Sequence, residues 1–301
     1  MGTGTLERRP NRIPISAGLH PGCLATPLAD VTPETASGYR ILAKIESLNP
    51  GLSVKDRVAR RLVSGTLASW ADETAPVLVE ASSGNTAVSV AMAAQERGLQ
   101  ALLFVPEDAS PVRVERMRAF GATVVPTPAG EGTGGARARA LEAVSGRKGH
   151  VFLDQHGSDL NIEAHLLSTG PEVIAQLEGL VPDSLVLAVG TGGTLIGLRE
   201  ALEGRFPWMS VTGVVPATDR GIPGMRRIDA GSAPLHARLS DVPLEEVEAE
   251  EAAWWSGAIR RMTGIPVGPS SGAAMAAAVR IGKRSGGLVL TLFPDHGFNY
   301  V

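Results

Sequence analysis

The chain has 301 residues, of which 44% are hydrophobic and 20% charged, with a formal charge of −3. That is enough apolar material for one large or two ordinary soluble domains, and it leaves no basic footprint for nucleic acid or an anionic membrane surface. One cysteine, Cys23, excludes an internal disulfide and a cysteine-based metal site, and the six histidines form no HExxH pair, so a metal enzyme is not expected.

The opening "MGTGTLERRPNRIP" lacks the apolar centre of a secretory signal. Leu6 also stands where a myristoylation signal needs Ser or Thr. The stretch reads as a tail and the protein as cytoplasmic, with Cys23 expected in the core. Beyond it, apolar strand-like runs alternate with helical periodicity. "YRILAKIE" predicts a strand, followed by a helix over 54–70. "PVLVE" is a strand before a small-residue helix over 85–97, and "ALLFVP" a strand before a helix over 111–120. "ATVVPT" precedes a helix over 136–144, with the glycine-rich run at 128–138 expected to be a mobile loop. After the strand "HVFLD" come a helix over 164–177, the strand "SLVLAV" and a helix from 194. The strand "SVTGVVP", helices over 245–262 and 272–283, and the strand "GLVLTLF" complete the series. Such alternation predicts parallel sheets covered by helices on both faces, and the short continuous apolar strands agree. The units are too many for one small sheet, so two α/β domains are expected.

Only four lysines occur: Lys44 in a strand, Lys148 in a loop, Lys283 at a helix end, and Lys55. Lys55 opens a helix after the turn "NPGLSV", where a cation is unfavourable by roughly a few tenths of a kcal/mol. A solvated surface lysine is the ordinary reading of that feature alone. Three other stretches change the weighing. "VGTGGTLIG" joins a strand to a helix and can cradle a phosphate on Gly190, Thr191, Gly192, Gly193 and Thr194, or simply turn the chain. It is neither the Walker pattern nor the dinucleotide fingerprint, which disfavours ATP and NAD. "EASSGNTAVSV" gathers Ser82, Ser83, Gly84, Asn85 and Thr86 at a helix start, more polar groups than a single cap needs and suited to holding a carboxylate. "GPSSGAAMAAA" repeats the serine pair before a small-residue helix; capping alone would account for it. An amine, a phosphate cradle, a carboxylate loop and a helix-start serine are together what pyridoxal phosphate uses.

The order of these motifs resembles the cysteine synthase/cystathionine β-synthase family of fold-type-II pyridoxal-phosphate enzymes, and closest to it the actinobacterial branch that uses O-phosphoserine. The likeness runs from "TPL" at 26–28 to "FPDHGFNY" at 293–300 and includes "EAHLLSTGPEV" at 163–173. It implies two doubly wound three-layer α/β domains of tryptophan-synthase-β type with the active site in the cleft between them. The smaller would span 38–152, and the larger 1–37 plus 153–301. It also implies Lys55 as the Schiff-base lysine and Asn85 as partner of the cofactor ring oxygen. Residues 190–194 become the phosphate loop, and Ser270 the ring-nitrogen contact. Ser82, Ser83, Gly84 and Thr86, with Gln155 of "LDQHG", become the carboxylate binders. Departures are Ser82 where threonine is usual, Ala87 where glycine is usual and His156 where an aromatic residue is common. "GIPGMRRIDAGSAP" (221–234) resembles the loop whose arginine holds the substrate phosphate in that branch, which makes Arg226 the counterpart.

The implied reaction is β-replacement on O-phosphoserine or O-acetylserine through an α-aminoacrylate, with a neutral Lys55 amine moving the α-proton. Cysteine synthesis is the first reading. Alternatives are the same chemistry with another nucleophile giving diaminopropionate or cystathionine, a serine/threonine dehydratase-type lyase, or a non-catalytic scaffold. The resemblance also implies a homodimer acting on a small amino acid, with no metal, nucleic acid or membrane. A sulfur-carrier or acyltransferase partner is not readable.

Overall fold

A computed structural model of the chain describes residues 25–218, 221–228 and 233–300; the tail and Cys23 lie outside them. In chain order the strands and helices are β1 (Leu28–Asp30), β2 (Tyr39–Ile45), α1 (Lys55–Ser69), β3 (Val77–Ala81), α2 (Asn85–Gln95), β4 (Gln100–Pro106) and α3 (Pro111–Ala119). Next come β5 (Thr123–Thr127), α4 (Gly132–Val144), β6 (His150–Phe152), α5 (Leu160–Ala164), α6 (Gly170–Gln176) and β7 (Ser184–Ala188). The last are α7 (Gly193–Glu203), β8 (Ser210–Pro216), β9 (Leu244–Val247), α8 (Ala249–Thr263), α9 (Pro269–Ser285) and β10 (Gly287–Phe293).

These strands form a six-stranded sheet in the order β1-β2-β10-β7-β8-β9 and a four-stranded sheet in the order β5-β4-β3-β6. All pairings are parallel except β1 with β2. Side-chain alternation explains why both sheets need two helical layers. Ile41, Ala43 and Ile45 of β2 and Val289 and Phe293 of β10 face α8 and α9. Their neighbours Leu42, Leu288, Leu290 and Leu292 face Leu195, Leu198 and Leu202 of α7 and Val173 of α6. In the smaller sheet Leu78, Leu103 and Val105 pack on α1 and α2, while Val79, Ala81 and Phe104 pack on Ala136 and Ala140 of α4. The two three-layer α/β units expected from the sequence are therefore present.

Several expectations need correction. The strand at Tyr39–Ile45, placed in the smaller domain by the 38–152 boundary, lies in the larger sheet, where it pairs with β10 in a seven-residue parallel register. The supposed loop at 128–138 is helical from Gly132. Burial of Ala136 and Ala140 and the Glu131–Arg139 pair outweigh the weak helix propensity of its glycines. Residues 244–247 form the edge strand β9 rather than a helix start. The helix expected over 164–177 begins earlier, and its middle widens into a π turn at His165–Thr169. There Gly197 of α7 presses on the backbone, and a Cβ on it would lie 2.5 Å from the Ile162 carbonyl oxygen. The last helix begins at Pro269 rather than 272, which puts Ser270 and Ser271 in its first turn.

Candidate active site

The turn before α1 is built around its own first residues. The Asp56 carboxylate accepts from the Gly51 amide at 2.5 Å and from the Ser89 hydroxyl at 2.6 Å on α2. Gly51 must be glycine, because a Cβ there would sit 2.2 Å from Asp56 Oδ1. Arg57 turns the other way, to Glu46 (2.7 Å) and Glu172 (2.7 Å). The two residues after Lys55 are thus anchored in protein, one to each unit. The Lys55 amine borders a cavity lined by Asn85, Thr191, Thr194 and Ser270 and makes no hydrogen bond among the described residues. Lys55 itself is partly exposed. The surrounding protein mass desolvates the amine, and the Arg226 charge adds to this against the opposing pull of Asp295. Together they lower its pKa to about 8.

Across the cavity, β7 ends in the glycine turn at 190–194. Gly192 takes a φ of +93°, and α7 starts at Gly193 without a side-chain cap. The uncapped amides of that helix start are oriented for an anion. The turn is held from behind by three side chains. His236 donates to the Gly190 carbonyl oxygen (2.8 Å), Asn161 to the Thr191 hydroxyl (2.9 Å), and His165 meets the Thr194 hydroxyl at 3.2 Å. Gly193 lies so close to Asn161 that a Cβ would be 2.2 Å from its Oδ1. Ser270, buried in the first turn of α9, closes the cavity with Asn85.

The loop from β3 to α2 lines an adjoining, more open cavity of about 290 Å³. Ser82, Ser83, Gly84, Asn85, Thr86, Gln155 and Arg226 all border it, and Lys55 stands where the two cavities meet. Ser82 Oγ accepts from the Gly84 amide at 3.1 Å, and Thr86 donates to Gln155 Oε1 at 2.5 Å. Beneath the loop, Glu80 accepts from the amides of Ala81 (2.8 Å) and Gln155 (3.2 Å). Complete burial nevertheless raises its pKa to about 8. His156 is buried on the same wall, and desolvation followed by the Arg226 charge depresses its pKa to about 4, leaving it neutral at pH 7. Arg226 has no carboxylate partner among the described residues, and burial lowers its pKa. Every residue singled out from the sequence borders one of the two cavities, except Gly193, which packs behind the turn.

A family profile described as "Pyridoxal-phosphate dependent enzyme" matches residues 19–295. The cysteine synthase of Aquifex aeolicus is 35% identical over 271 residues, covering 87% of this chain and 82% of that protein. Cysteine synthase B of Salmonella typhimurium is 34% identical over 268 residues, 88% of each chain. The chain belongs to the pyridoxal-phosphate-dependent enzymes. Among solved structures, the O-acetylserine-dependent cystathionine β-synthase of Helicobacter pylori superposes with a TM-score of 0.82 at 30% identity, over 92% of this chain and 94% of that one. The cysteine synthase of Entamoeba histolytica gives 0.86 at 27% identity, over 98% and 92%. The fold is thus that of the fold-type-II members of the family. The cavity suits the family's cofactor: an uncapped helix start after a glycine-rich turn for a phosphate, and a desolvated amine opposite.

Sequence reasoning missed the residues behind the first contacts. Asp295, Tyr300, Asn161, His165, His236 and Glu80 carry no spacing signature of their own. For Asp295, the signal was a carboxylate directly after an otherwise apolar strand and a proline, in "TLFPD".

Proposed function

We propose that this enzyme replaces the β-substituent of a β-activated L-serine with a nucleophile, in the manner of a cysteine synthase. The observation that carries this reading is the free Lys55 amine at the junction of the two cavities, one shaped for a phosphate and the other lined by carboxylate binders. Pyridoxal phosphate, when bound, supplies an electron sink for carbanion chemistry. The 190–194 turn would hold its phosphate, Asn85 its ring oxygen and Ser270 its ring nitrogen. Ser82, Ser83, Gly84 and Thr86 would grip the substrate carboxylate, with Gln155 fixed by Thr86. With a pKa of about 8 the Lys55 amine exchanges a proton readily near neutral pH, which suits it to remove and return the α-proton.

Arg226 favours O-phosphoserine as the donor over O-acetylserine. It is a partly buried guanidinium on the wall of the substrate cavity with no carboxylate partner among the described residues, a setting suited to holding a leaving phosphate bidentately. The test is the ratio of kcat/KM for the two donors in the parent and in Arg226→Ala. A parent preference for O-phosphoserine that falls at least tenfold in the variant supports the reading, and an unchanged ratio contradicts it. A homodimer and a division into units near residue 152 rest on the resemblance, and a cytoplasmic location on the sequence composition; among the described residues, no helix is long and apolar enough to cross a membrane.

A further inference from the structure

Lys55, Asn85 and Ser270 come from three separate segments that must be held in mutual register. One residue touches the anchors of all three. Asp295 follows β10 in an extended segment wedged between the strands before Lys55 and Ser270. Ser53 pairs with Asp295 in an antiparallel bridge, and the Val54 amide donates to the Pro294 carbonyl oxygen at 2.7 Å. On the other side the Gly268 amide donates to the Asp295 carbonyl oxygen at 2.9 Å, just ahead of Ser270. The third link is the side chain: Asp295 Oδ2 accepts from Asn85 Nδ2 at 2.7 Å and from the Tyr300 hydroxyl.

The carboxylate is built into this place. It is 3% exposed, it borders the cofactor cavity, and its Oδ1 has no partner among the described residues. That oxygen lies against Gly268, where a Cβ would come within 2.1 Å of it. Only glycine lets Asp295 approach so closely. An amide can present either its oxygen or its nitrogen, and the choice follows from its partners. Facing a carboxylate oxygen, Asn85 must turn its NH2 toward Asp295, since the flipped amide would oppose two acceptors. One N–H is then used by Asp295; the same NH2 neighbours the Tyr300 hydroxyl and borders the cavity, into which it can donate.

The geometry points to Asp295 as a positioning residue. It fixes the Asn85 amide as a donor to the cofactor's ring oxygen and is itself held by Tyr300. This rests on the reading of Asn85 as the ring-oxygen partner. Loss of Asp295 frees the amide to rotate, so the cofactor binds more weakly and its ring meets a different hydrogen bond. Loss of the charge alone, as in Asp295→Asn, leaves the arrangement standing, because the new side-chain amide keeps an acceptor oxygen for both Asn85 and Tyr300.

The test is equilibrium titration of the protein with pyridoxal phosphate, following affinity and the visible absorption maximum. Asp295→Ala is expected to bind at least about tenfold more weakly, the scale of one lost charge-assisted hydrogen bond, and to shift the absorption maximum. Asp295→Asn should bind within about threefold of the parent and keep its maximum. In an Asn85→Ala background, Asp295→Ala should cost nothing further, because both changes remove one interaction. If the alanine variant does not fold, Asp295→Ser, too short to reach Asn85, carries the same expectation. Asp295→Asn as weak as Asp295→Ala, or additive losses in the double variant, would overturn the inference. If the Asn85→Ala variant binds like the parent, the reading of Asn85 itself fails. If Asn85→Ala is impaired while the Asp295 variants are normal, only the role of Asp295 fails.

Discussion

Two lysines eleven positions apart sit in opposite surroundings. Lys44, near the end of β2, is 1% exposed, and its amine donates to the Thr26 carbonyl oxygen (2.5 Å), Glu172 (2.7 Å) and Gln176 (2.9 Å). All three of its protons are used. Glu172 also pairs with Arg57, which pairs with Glu46, so two cations and two carboxylates neutralise one another inside the protein. Lys55 has a cavity in place of acceptors. Burial lowers the pKa of both amines; what separates them is the set of acceptors, because Lys44 spends its protons on three partners while Lys55 faces a cavity and keeps its lone pair available for chemistry.

The sharpest way to break that contrast is to remove each amine in turn. Lys55→Ala should lower turnover by about 10²- to 10⁴-fold, the range for losing a positioned acid–base group, and abolish the cofactor's covalent visible band. Its apoprotein should melt higher than the parent below pH 8. The folded pKa of about 8 lies below the ordinary lysine value of 10.5, so the buried charge costs stability at low pH. That cost is relieved as pH rises through 8 toward 10.5. Lys44→Met should do the reverse, costing roughly 3 kcal/mol in urea unfolding because a buried pair is broken from one side, with cofactor affinity unchanged.

A smaller effect lies in the pH dependence. Uptake of pyridoxal phosphate by the apoprotein needs the neutral Lys55 amine, so its rate should climb about tenfold per pH unit below 8 and level off above it. Arg226→Ala should move that midpoint upward, since it removes one of the charges that depress the amine. The smallest effect expected is that of Thr86→Val. It deletes the 2.5 Å bond to Gln155 and should raise the donor KM by about five- to tenfold, near 1 kcal/mol, with a lesser change in kcat.

How much of this was legible in the sequence follows the same division between contact and support. The glycine turn, the "SSGNT" loop and Lys55 announce themselves, because backbone approach to an anion demands glycine and a helix start collects hydroxyls in order. Strand and helix alternation was equally plain. The position of β2 was not: its pairing with β10 joins residues 39–45 to 287–293, a contact that no local pattern encodes. Helix α4 was hidden by its glycines, since its stability comes from Ala136 and Ala140 packing on the smaller sheet. Asp295 was hidden for a similar reason. A carboxylate is informative only once its partners Asn85 and Tyr300, distant or featureless in sequence, are seen beside it.

The central claim is that the free amine at the meeting of the two cavities drives β-replacement. It is tested most directly by mixing the pyridoxal-phosphate-loaded protein with O-phosphoserine or O-acetylserine and sulfide and measuring cysteine. The account predicts cysteine from at least one donor at a rate that Lys55→Ala lowers by at least about 10²-fold. Loaded protein that consumes neither donor, or that forms cysteine equally well without Lys55, would contradict it.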